Sequence, residues 1–125
     1  MQHPPEHLLI ALRTALALLR RHLGKDATLL RALYLVETAL QNGGDKQDIE
    51  RSINALSGKS SRAAASRNVH DLTKRNSRKQ PGVDMLTYST NAVDMRRKQL
   101  ALTDKGERLI DEVIVKMQAA LTKKR

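Results

Sequence analysis

Apolar residues repeat at helical spacing through the first part of the chain. Five leucines are four, four, three and four residues apart, which places them on one side of a helix that begins near Pro4 or Pro5 and ends at Gly24. Leu9, Ile10 and other apolar residues widen this side. Such a helix is either the central helix of the core or one that also contacts a second subunit, and its excess apolar area favours the second subunit. The five leucines are Leu8, Leu12, Leu16, Leu19 and Leu23.

Two shorter helical patterns follow. Asp26 or Thr28 can cap the first of them, and the sequence Asn42-Gly43-Gly44 is a strong signal for its end. Asp45 can cap the second, a helix of about three turns that closes at Ser57-Gly58.

A basic helix comes next, from Ser60 or Ser61 to about Arg75. Its apolar positions recur four and three residues apart and predict one buried side, while the other side is polar and basic. A short helix, a brief turn with glycine and a basic second helix together describe a helix-turn-helix. The apolar positions are Ala65, Val69 and Leu72.

The pattern then changes from helical to strand-like. Residues 77–82 form a polar linker, residues 85–90 have the composition of a strand, and residues 98–103 are its predicted partner across a loop. A hairpin that follows a helix-turn-helix is a wing. A last amphipathic helix runs from about Asp104 to Thr122; Thr103 or Asp104 can cap it, and Glu107 lies three residues after Asp104, as in a capping box.

Composition points to a polyanionic partner. The chain has 125 residues, enough for one domain, and its net charge of +10 favours nucleic acid ahead of an anionic membrane. The absence of Cys excludes disulfides and thiolate zinc sites. Arginines interrupt the apolar run from 8 to 23 and the first residues lack a signal-peptide pattern, so we expect a cytoplasmic protein without a membrane span.

The positive charge is concentrated around the basic helix. Between Ser57 and Gln80 there are seven basic residues and one acid, Asp71, so the local excess is +6. A solvated surface is the ordinary reading of such a run, but small hydrogen-bonding residues are interleaved with the basic ones, which favours DNA contact. The predicted DNA-binding residues here are Lys59, Ser60, Ser61, Arg62, Ser66, Arg67, Asn68, His70, Lys74, Arg75, Arg78 and Lys79.

Different members of this set suit different contacts. The serines are short enough for close approach to phosphate, whereas Arg62, Arg67, Asn68 and His70 can reach base edges. The basic residues from Lys74 onward are predicted to contact phosphate. We favour four residues as the main contacts: Arg62, Ser66, Arg67 and His70.

The predicted wing carries a second set of DNA contacts. Asp94 and Arg96 are two residues apart, so in extended backbone they share a face, and the acid can orient the guanidinium for insertion into the minor groove. The alternative is a surface ion pair of little energetic weight. Arg97 and Lys98 complete the predicted set on the wing.

Asp94-x-Arg96, followed by Leu100-x-Leu102-Thr103-x-Lys105-Gly106, resembles the wing and last-helix start of MarR-type (multiple antibiotic resistance regulator) winged-helix proteins. The order of elements is also similar to that family over nearly the whole chain. The resemblance implies a homodimer in which the first and last helices interlock, with one recognition helix per subunit in the major groove and one wing in the minor groove of a palindromic site. Arg96 is then the wing arginine, Asp94 its partner, and residues 62–74 the recognition helix.

The resulting prediction is a mainly α protein with a small antiparallel β-hairpin (α+β), a winged helix-turn-helix. Residues 1–125 form a single DNA-binding domain, with dimerisation helices at 4–24 and 104–122 and the helix-turn-helix plus wing at 45–103. The predicted function is a homodimeric transcriptional regulator, most simply a repressor, that a small-molecule effector can release from double-stranded DNA. The alternative is a plasmid-partition or phage accessory protein that assembles along DNA repeats.

Other classes of function find little support in the sequence. No phosphate-cradling loop, nucleophile motif or acid–base pair is recognisable, so we expect no enzyme and no cofactor. His3, Glu6 and His7 lack the further ligands that a metal site needs. Tyr34 and Tyr88 are the only aromatic residues, which disfavours stacking on single-stranded nucleic acid. The arginines of the first helix form only a weak basic face for a membrane surface.

Overall fold

The computed structural model describes residues 3–74, 82–90, 93 and 97–122. Within these ranges the chain forms five helices and a three-stranded antiparallel sheet, which confirms the predicted mainly α class with a small β-hairpin. The elements in chain order are α1 (Pro5–Leu23), α2 (Leu29–Leu40), β1 (Gly44–Asp45), α3 (Lys46–Ser57), α4 (Arg62–Leu72), β2 (Leu86–Thr90), β3 (Lys98–Leu102) and α5 (Asp104–Thr122).

Four of the helices begin at a capping side chain. Thr28, Asp45, Ser61 and Thr103 each accept a hydrogen bond from a backbone N–H two or three residues later, at 2.8–3.1 Å. The bond satisfies one of the N–H groups that the first turn of a helix leaves without a partner. The sequence offered two candidates for three of these caps. Thr28 and not Asp26 caps α2, Ser61 and not Ser60 caps α4, and Thr103 and not Asp104 caps α5.

The start of α5 is packed tightly against the chain that enters β2. Because α5 begins at Asp104, the third helical residue is Gly106 and not Glu107, so the predicted capping box with Glu107 is not formed. A Cβ at Gly106 would collide with the carbonyl oxygen of Met85. Glycine is therefore required here for close approach of two backbones.

The sheet has the order β1-β3-β2, with both pairs antiparallel. The predicted hairpin is confirmed: Leu86 lies opposite Leu102 across β2 and β3. Strand β1 is an addition that the sequence did not predict, and its Gly44 pairs with Leu100. The side chain of Asn42 supports the same edge by accepting a hydrogen bond from the Leu102 N–H at 2.9 Å. The helix-turn-helix is thereby attached to the hairpin.

Helix α2 lies at the centre of the core, whereas α1 lies at the outside. Tyr34 and Leu35 of α2 are fully buried among apolar side chains of α3, α4 and β3. Helix α1 packs along α5 and buries one side, but Leu12 and Leu16 keep about half of their surface exposed, at 51% and 44%. The interpretation of the first helix as the central core helix is therefore wrong.

Helix α4 ends at Leu72, about one turn before the predicted end at Arg75. The N–H and hydroxyl of Thr73 both donate to the carbonyl of His70, which closes the helix, and the Met85 N–H donates to the carbonyl of Leu72 at 2.7 Å. The Gly82 N–H donates to the Lys74 carbonyl at 2.9 Å. Lys74 and Gly82, which flank segment 75–81, are thus directly joined.

Candidate nucleic-acid interface

The outer face of α4 combines positive charge with small polar groups. Arg62 and Arg67 are exposed, and Ser66 and His70 are half-buried between them on the same face of the helix. Their spacing of three to five residues explains this common face, and the apolar positions of α4 face the core as predicted. Lys59 before the helix and Lys74 after it are also exposed. Six of the predicted DNA-binding residues therefore lie accessible on the outer face of α4 or directly beside its two ends.

Asn68 was predicted to reach base edges, but it is buried against α2. Its side chain is buried, with 8% of the residue exposed. The Asn68 Oδ1 accepts a hydrogen bond from the Thr28 hydroxyl at 2.8 Å, and its Nδ2 donates to the Ala64 carbonyl at 2.8 Å. Because both ends of the amide are used within the protein, Asn68 serves the packing of α4 against α2 and not its outer face.

The two serines before α4 have different surroundings. The Ser61 residue is exposed and its Oγ caps the helix by accepting from the Ala64 N–H at 3.0 Å. Ser60 is half-buried, and within the described residues its buried Oγ has no hydrogen-bond partner. Ser61 therefore places backbone N–H groups of the first turn of α4 beside the basic face.

Tyr88 of β2 connects α4 to the hairpin. Its ring lies 5.8 Å from the ring of His70, tilted by 57°, and the Lys98 Nζ lies 5.1 Å from the Tyr88 centroid. The second contact is in the range of a cation–π interaction. Burial, and then the negative charge of Glu50, raise the pKa of Tyr88 to about 12, so its hydroxyl stays protonated at neutral pH. His70 and Lys98, from two predicted parts of the interface, are thereby brought together.

An ion pair holds Arg97, the residue before β3, at the loop end of the hairpin. Its Nε lies 3.3 Å from Oδ2 of Asp45, whose side chain is only 12% exposed, while Arg97 keeps about half of its own side chain exposed. Asp45 also caps α3 through its other oxygen. Arg97, predicted as a DNA contact, is thus an ion-pair partner of the helix-turn-helix.

Five of the predicted DNA-binding residues lie outside the described residues. They are Arg75, Arg78 and Lys79 after α4, and the Asp94 and Arg96 pair of the hairpin tip. Their assignment to DNA contact stays a prediction from the sequence.

Two contacts from α2 to α4 were missed by the sequence reasoning. Besides the bond from Thr28 to Asn68, the Nη2 of Arg31 lies 2.7 Å from Oδ2 of Asp71, and both side chains are largely buried, at 16% and 18% exposed. Residues 28 and 71 are far apart in sequence, so no local pattern links them. The one available signal was a basic residue within the otherwise apolar first turns of α2.

A second exposed surface is apolar. Helices α1, α2 and α5 enclose a groove of about 600 Å³ that is lined only by apolar side chains, including Leu16, Leu33, Val36 and Ile114. Several lining residues are widely exposed, with Leu29 at 76% and Leu40 at 74%. Exposed apolar side chains gathered around one groove indicate a binding surface for an apolar partner.

Neither a metal-binding cluster nor a membrane-spanning helix is found among the described residues. In ranges 3–74, 82–90 and 97–122 no group of three or more His, Cys, Asp or Glu side chains is placed to hold a metal ion. None of the helices described in these ranges is long and apolar enough to cross a bilayer. His3 and Glu6 are exposed at the beginning of the chain, and His7 is half-buried.

The fold, a helix-turn-helix and hairpin held by two long terminal helices, is the winged-helix fold of the MarR type. Three solved structures of regulators are similar to the chain. The PcaV transcriptional regulator from Streptomyces coelicolor is 18% identical, with 96% of this chain and 81% of that chain covered and a TM-score of 0.57. MarR is 17% identical, with 90% and 74% covered and a TM-score of 0.59.

The third similar structure is PcaV in complex with its natural ligand, which is 20% identical over 93% of this chain and 74% of that chain, with a TM-score of 0.57. At such identities the similarity establishes the fold. No family model matches the chain, and no curated protein matches it.

Proposed function

We propose that this chain is a sequence-specific regulator of transcription that binds double-stranded DNA as a homodimer, most simply as a repressor. The observation that carries the proposal is the exposed basic face of α4, which lies beside a β-hairpin in a winged-helix fold. The similar structure PcaV is a transcriptional regulator and MarR shares the fold, which supports the same class of activity.

In this proposal α4 enters the major groove, which is about 12 Å wide and admits a helix. Arg62, Ser66, Arg67 and His70 face the base edges, because they share the outer face of α4. Lys59 and Lys74 lie at its two ends and contact phosphates. Ser61 contributes through the capped first turn, whose backbone N–H groups attract an anion.

The hairpin contacts the neighbouring minor groove. Lys98 at the start of β3 is exposed and contacts the ring of Tyr88, which also contacts His70. The predicted pair Asp94 and Arg96 is assigned to the tip, where a guanidinium suits the negative potential of a narrow minor groove. Arg97 supports the start of β3, next to the tip, through Asp45.

The homodimer explains the exposed apolar surface of α1 and α5. Leu8, Leu9, Leu12 and Leu16 of α1 are between 44% and 66% exposed, and Ile114 of α5 is 46% exposed. A second copy offers the same apolar face, so a two-fold axis would cover both surfaces at once. The two α4 helices then meet two half-sites, which predicts a palindromic DNA site.

A small apolar effector is a further part of the proposal. The groove of about 600 Å³ between α1, α2 and α5 is within the size range of small-molecule pockets and lacks charged lining residues. The neighbouring PcaV structure was solved with its natural ligand. An uncharged hydrophobic molecule would fit the lining best.

A footprint on the genomic DNA that flanks the coding sequence tests the main proposal. We expect protection of one short palindromic site, by one dimer, with an affinity that falls steeply as salt rises. Protection that spreads cooperatively along repeats would instead support an architectural protein. Equal affinity for all duplexes would contradict a sequence-specific regulator.

A further inference from the structure

Helix α4 is attached to α2 by four side chains that we name the α2–α4 clamp: Thr28, Arg31, Asn68 and Asp71. The Thr28 hydroxyl donates to Oδ1 of Asn68 at 2.8 Å, and Arg31 Nη2 donates to Oδ2 of Asp71 at 2.7 Å. The two members on each helix are three residues apart, so they occupy adjacent turns of one face. Two successive turns of α4 are therefore fixed to the first turn of α2.

The clamp is a connected set of hydrogen bonds. The Thr28 Oγ1 accepts from the Arg31 N–H at 3.1 Å, so the hydroxyl that contacts Asn68 also caps α2. Asn68 in turn donates to the Ala64 carbonyl at 2.8 Å within α4. A rotation of α4 would break both bonds that join it to α2, from Thr28 to Asn68 and from Arg31 to Asp71. The clamp thus determines which side chains of α4 face outward.

The Arg31–Asp71 pair also has an electrostatic consequence for the outer face. Asp71 is the single acid between residues 57 and 80, and it follows Arg67 by four residues on the neighbouring turn. At this spacing a carboxylate attracts a guanidinium on the same helix. Arg31 holds the Asp71 carboxylate on the α2 side at 2.7 Å, and both partners are largely buried there.

We propose that Arg31 is a positioning residue for DNA binding, although it lies on α2 and outside the basic face. It fixes α4 through Asp71 and keeps that acid from competing with DNA phosphate for Arg67. This inference rests on the proposed DNA-binding function. It assigns a role in that function to a residue of the core helix.

Three variants test the inference: Arg31→Gln, Asp71→Asn and the double variant. The readout is affinity for a duplex that the wild-type protein selects from a random-sequence pool, measured at a temperature where each variant is folded by circular dichroism. Arg31→Gln should weaken binding by about tenfold, because an acid without Arg31 remains beside the basic face. Asp71→Asn in the Arg31→Gln background should recover part of the affinity, because it removes the competing charge while α4 is still not fixed to α2 by this ion pair.

Arg13→Gln is the matched control. It removes the same charge from an exposed position on α1, and we expect less than about a twofold change in affinity, because a distant exposed charge is largely screened. If Arg31→Gln binds like the wild-type protein, the inference is wrong. If the double variant is as weak as Arg31→Gln alone, Asp71 does not compete with DNA for Arg67, and the inference is overturned on that point.

Amide hydrogen exchange of the DNA-free protein separates the clamp from the proposed function. Arg31→Gln should speed exchange in α4 by about tenfold and leave the interior of α1 unchanged, because the clamp joins only α2 and α4. A wild-type protein that selects no duplex would contradict the proposed function, and the exchange rates would still decide whether Arg31 fixes α4. Unchanged exchange in α4 would contradict the clamp whatever the DNA result.

Discussion

The two exposed helical surfaces of this protein have opposite chemistry. The groove between α1, α2 and α5 is lined by apolar side chains alone, whereas the outer face of α4 carries Arg62, Arg67 and small polar groups. Removing apolar area from water lowers the free energy by roughly 25 cal/mol per Å², so covering the groove with an apolar partner is favourable. Binding of a polyanion to a basic face is favoured instead by the release of counterions. One small chain therefore presents two surfaces whose chemistry suits different partners.

Helix α2 lies between these surfaces and contributes to both. Leu33 and Val36 line the groove, while Thr28 and Arg31 hold α4. The separation of the two surfaces can therefore be tested by changes on one side that leave the other unaffected, and by changes at the core between them.

The largest effect is expected from a charge in the apolar surface. Leu16→Glu should raise the dissociation constant of the proposed dimer by at least about 100-fold, because it places an unpaired carboxylate in an apolar interface. Leu16 is 44% exposed in the single chain, so folding should be retained. Sedimentation velocity measures the change. Ala17→Glu adds the same charge at an exposed position outside the groove, and equal behaviour of the two variants would contradict an interface at Leu16.

The next effect concerns the joint between the hairpin and α5. Gly106→Ala should reduce the free energy of unfolding by about 1–3 kcal/mol, because the new Cβ collides with the Met85 carbonyl. Urea unfolding measures this change. Lys105→Ala, at the exposed neighbouring position, is the control and should change stability by less than about 0.5 kcal/mol. A stable Gly106→Ala variant would show that the approach of the two backbones can relax.

A charge removed from the basic face should act on DNA binding alone. Arg67→Ala should reduce the slope of log affinity against log salt concentration by about 0.9 for each phosphate that the guanidinium neutralises in the wild-type complex. Fluorescence anisotropy with a labelled duplex at several salt concentrations gives this slope. Arg13→Ala removes an equal charge from α1, and we expect an unchanged slope. Equal slopes for the two variants would contradict a special role of the α4 face.

The smallest effect at neutral pH is expected in the core between the surfaces. Burial, and then the charge of Glu50, raise the pKa of Tyr34 from 10.0 to about 12. The stability that this neutral hydroxyl contributes is complete below pH 10 and is lost as the pH rises toward 12, by about 1.4 kcal/mol per unit of pKa shift.

Tyr34→Phe should therefore change stability little at pH 7, because the buried Tyr34 hydroxyl has no hydrogen-bond partner among the described residues. Above pH 10 the variant should lose less stability than the wild-type protein. Chemical unfolding at pH 7, 10 and 11 makes the comparison. A parallel decline of both proteins above pH 10 would mean that ionisation of Tyr34 does not contribute to alkaline unfolding.

The sequence predicted most of the helix ends because their causes are local. A capping side chain and a glycine stop act within a few residues, as at Thr28 and Gly24. Strand β1 was missed because its two residues, Gly44 and Asp45, already had a local explanation as a helix stop and a helix cap. Pairing of Gly44 with Leu100 depends on the tertiary fold and leaves no periodic pattern.

The sequence predicted which residues form the candidate interface better than it predicted which way their side chains point. The basic face at Arg62 and Arg67 followed from helical spacing and charge. Asn68 was assigned to DNA because its amide suits base edges, but its burial depends on Thr28, which is 40 residues away in sequence. The pairing of Arg97 with Asp45 has the same long-range origin. Side chains with more than one good partner are the ones that sequence reasoning cannot orient.

The hydrogen bond between the Gly82 N–H and the Lys74 carbonyl has a consequence for how this protein can vary in length. Because Lys74 and Gly82, on either side of segment 75–81, are already joined, the loop-closure cost of lengthening the segment is about 0.6 kcal/mol for each doubling. We expect insertions there to leave this bond, and with it α4 and the hairpin, in place. Arg75, Arg78 and Lys79 lie within this segment, so a lineage can alter the reach of its basic residues without redesigning the fold.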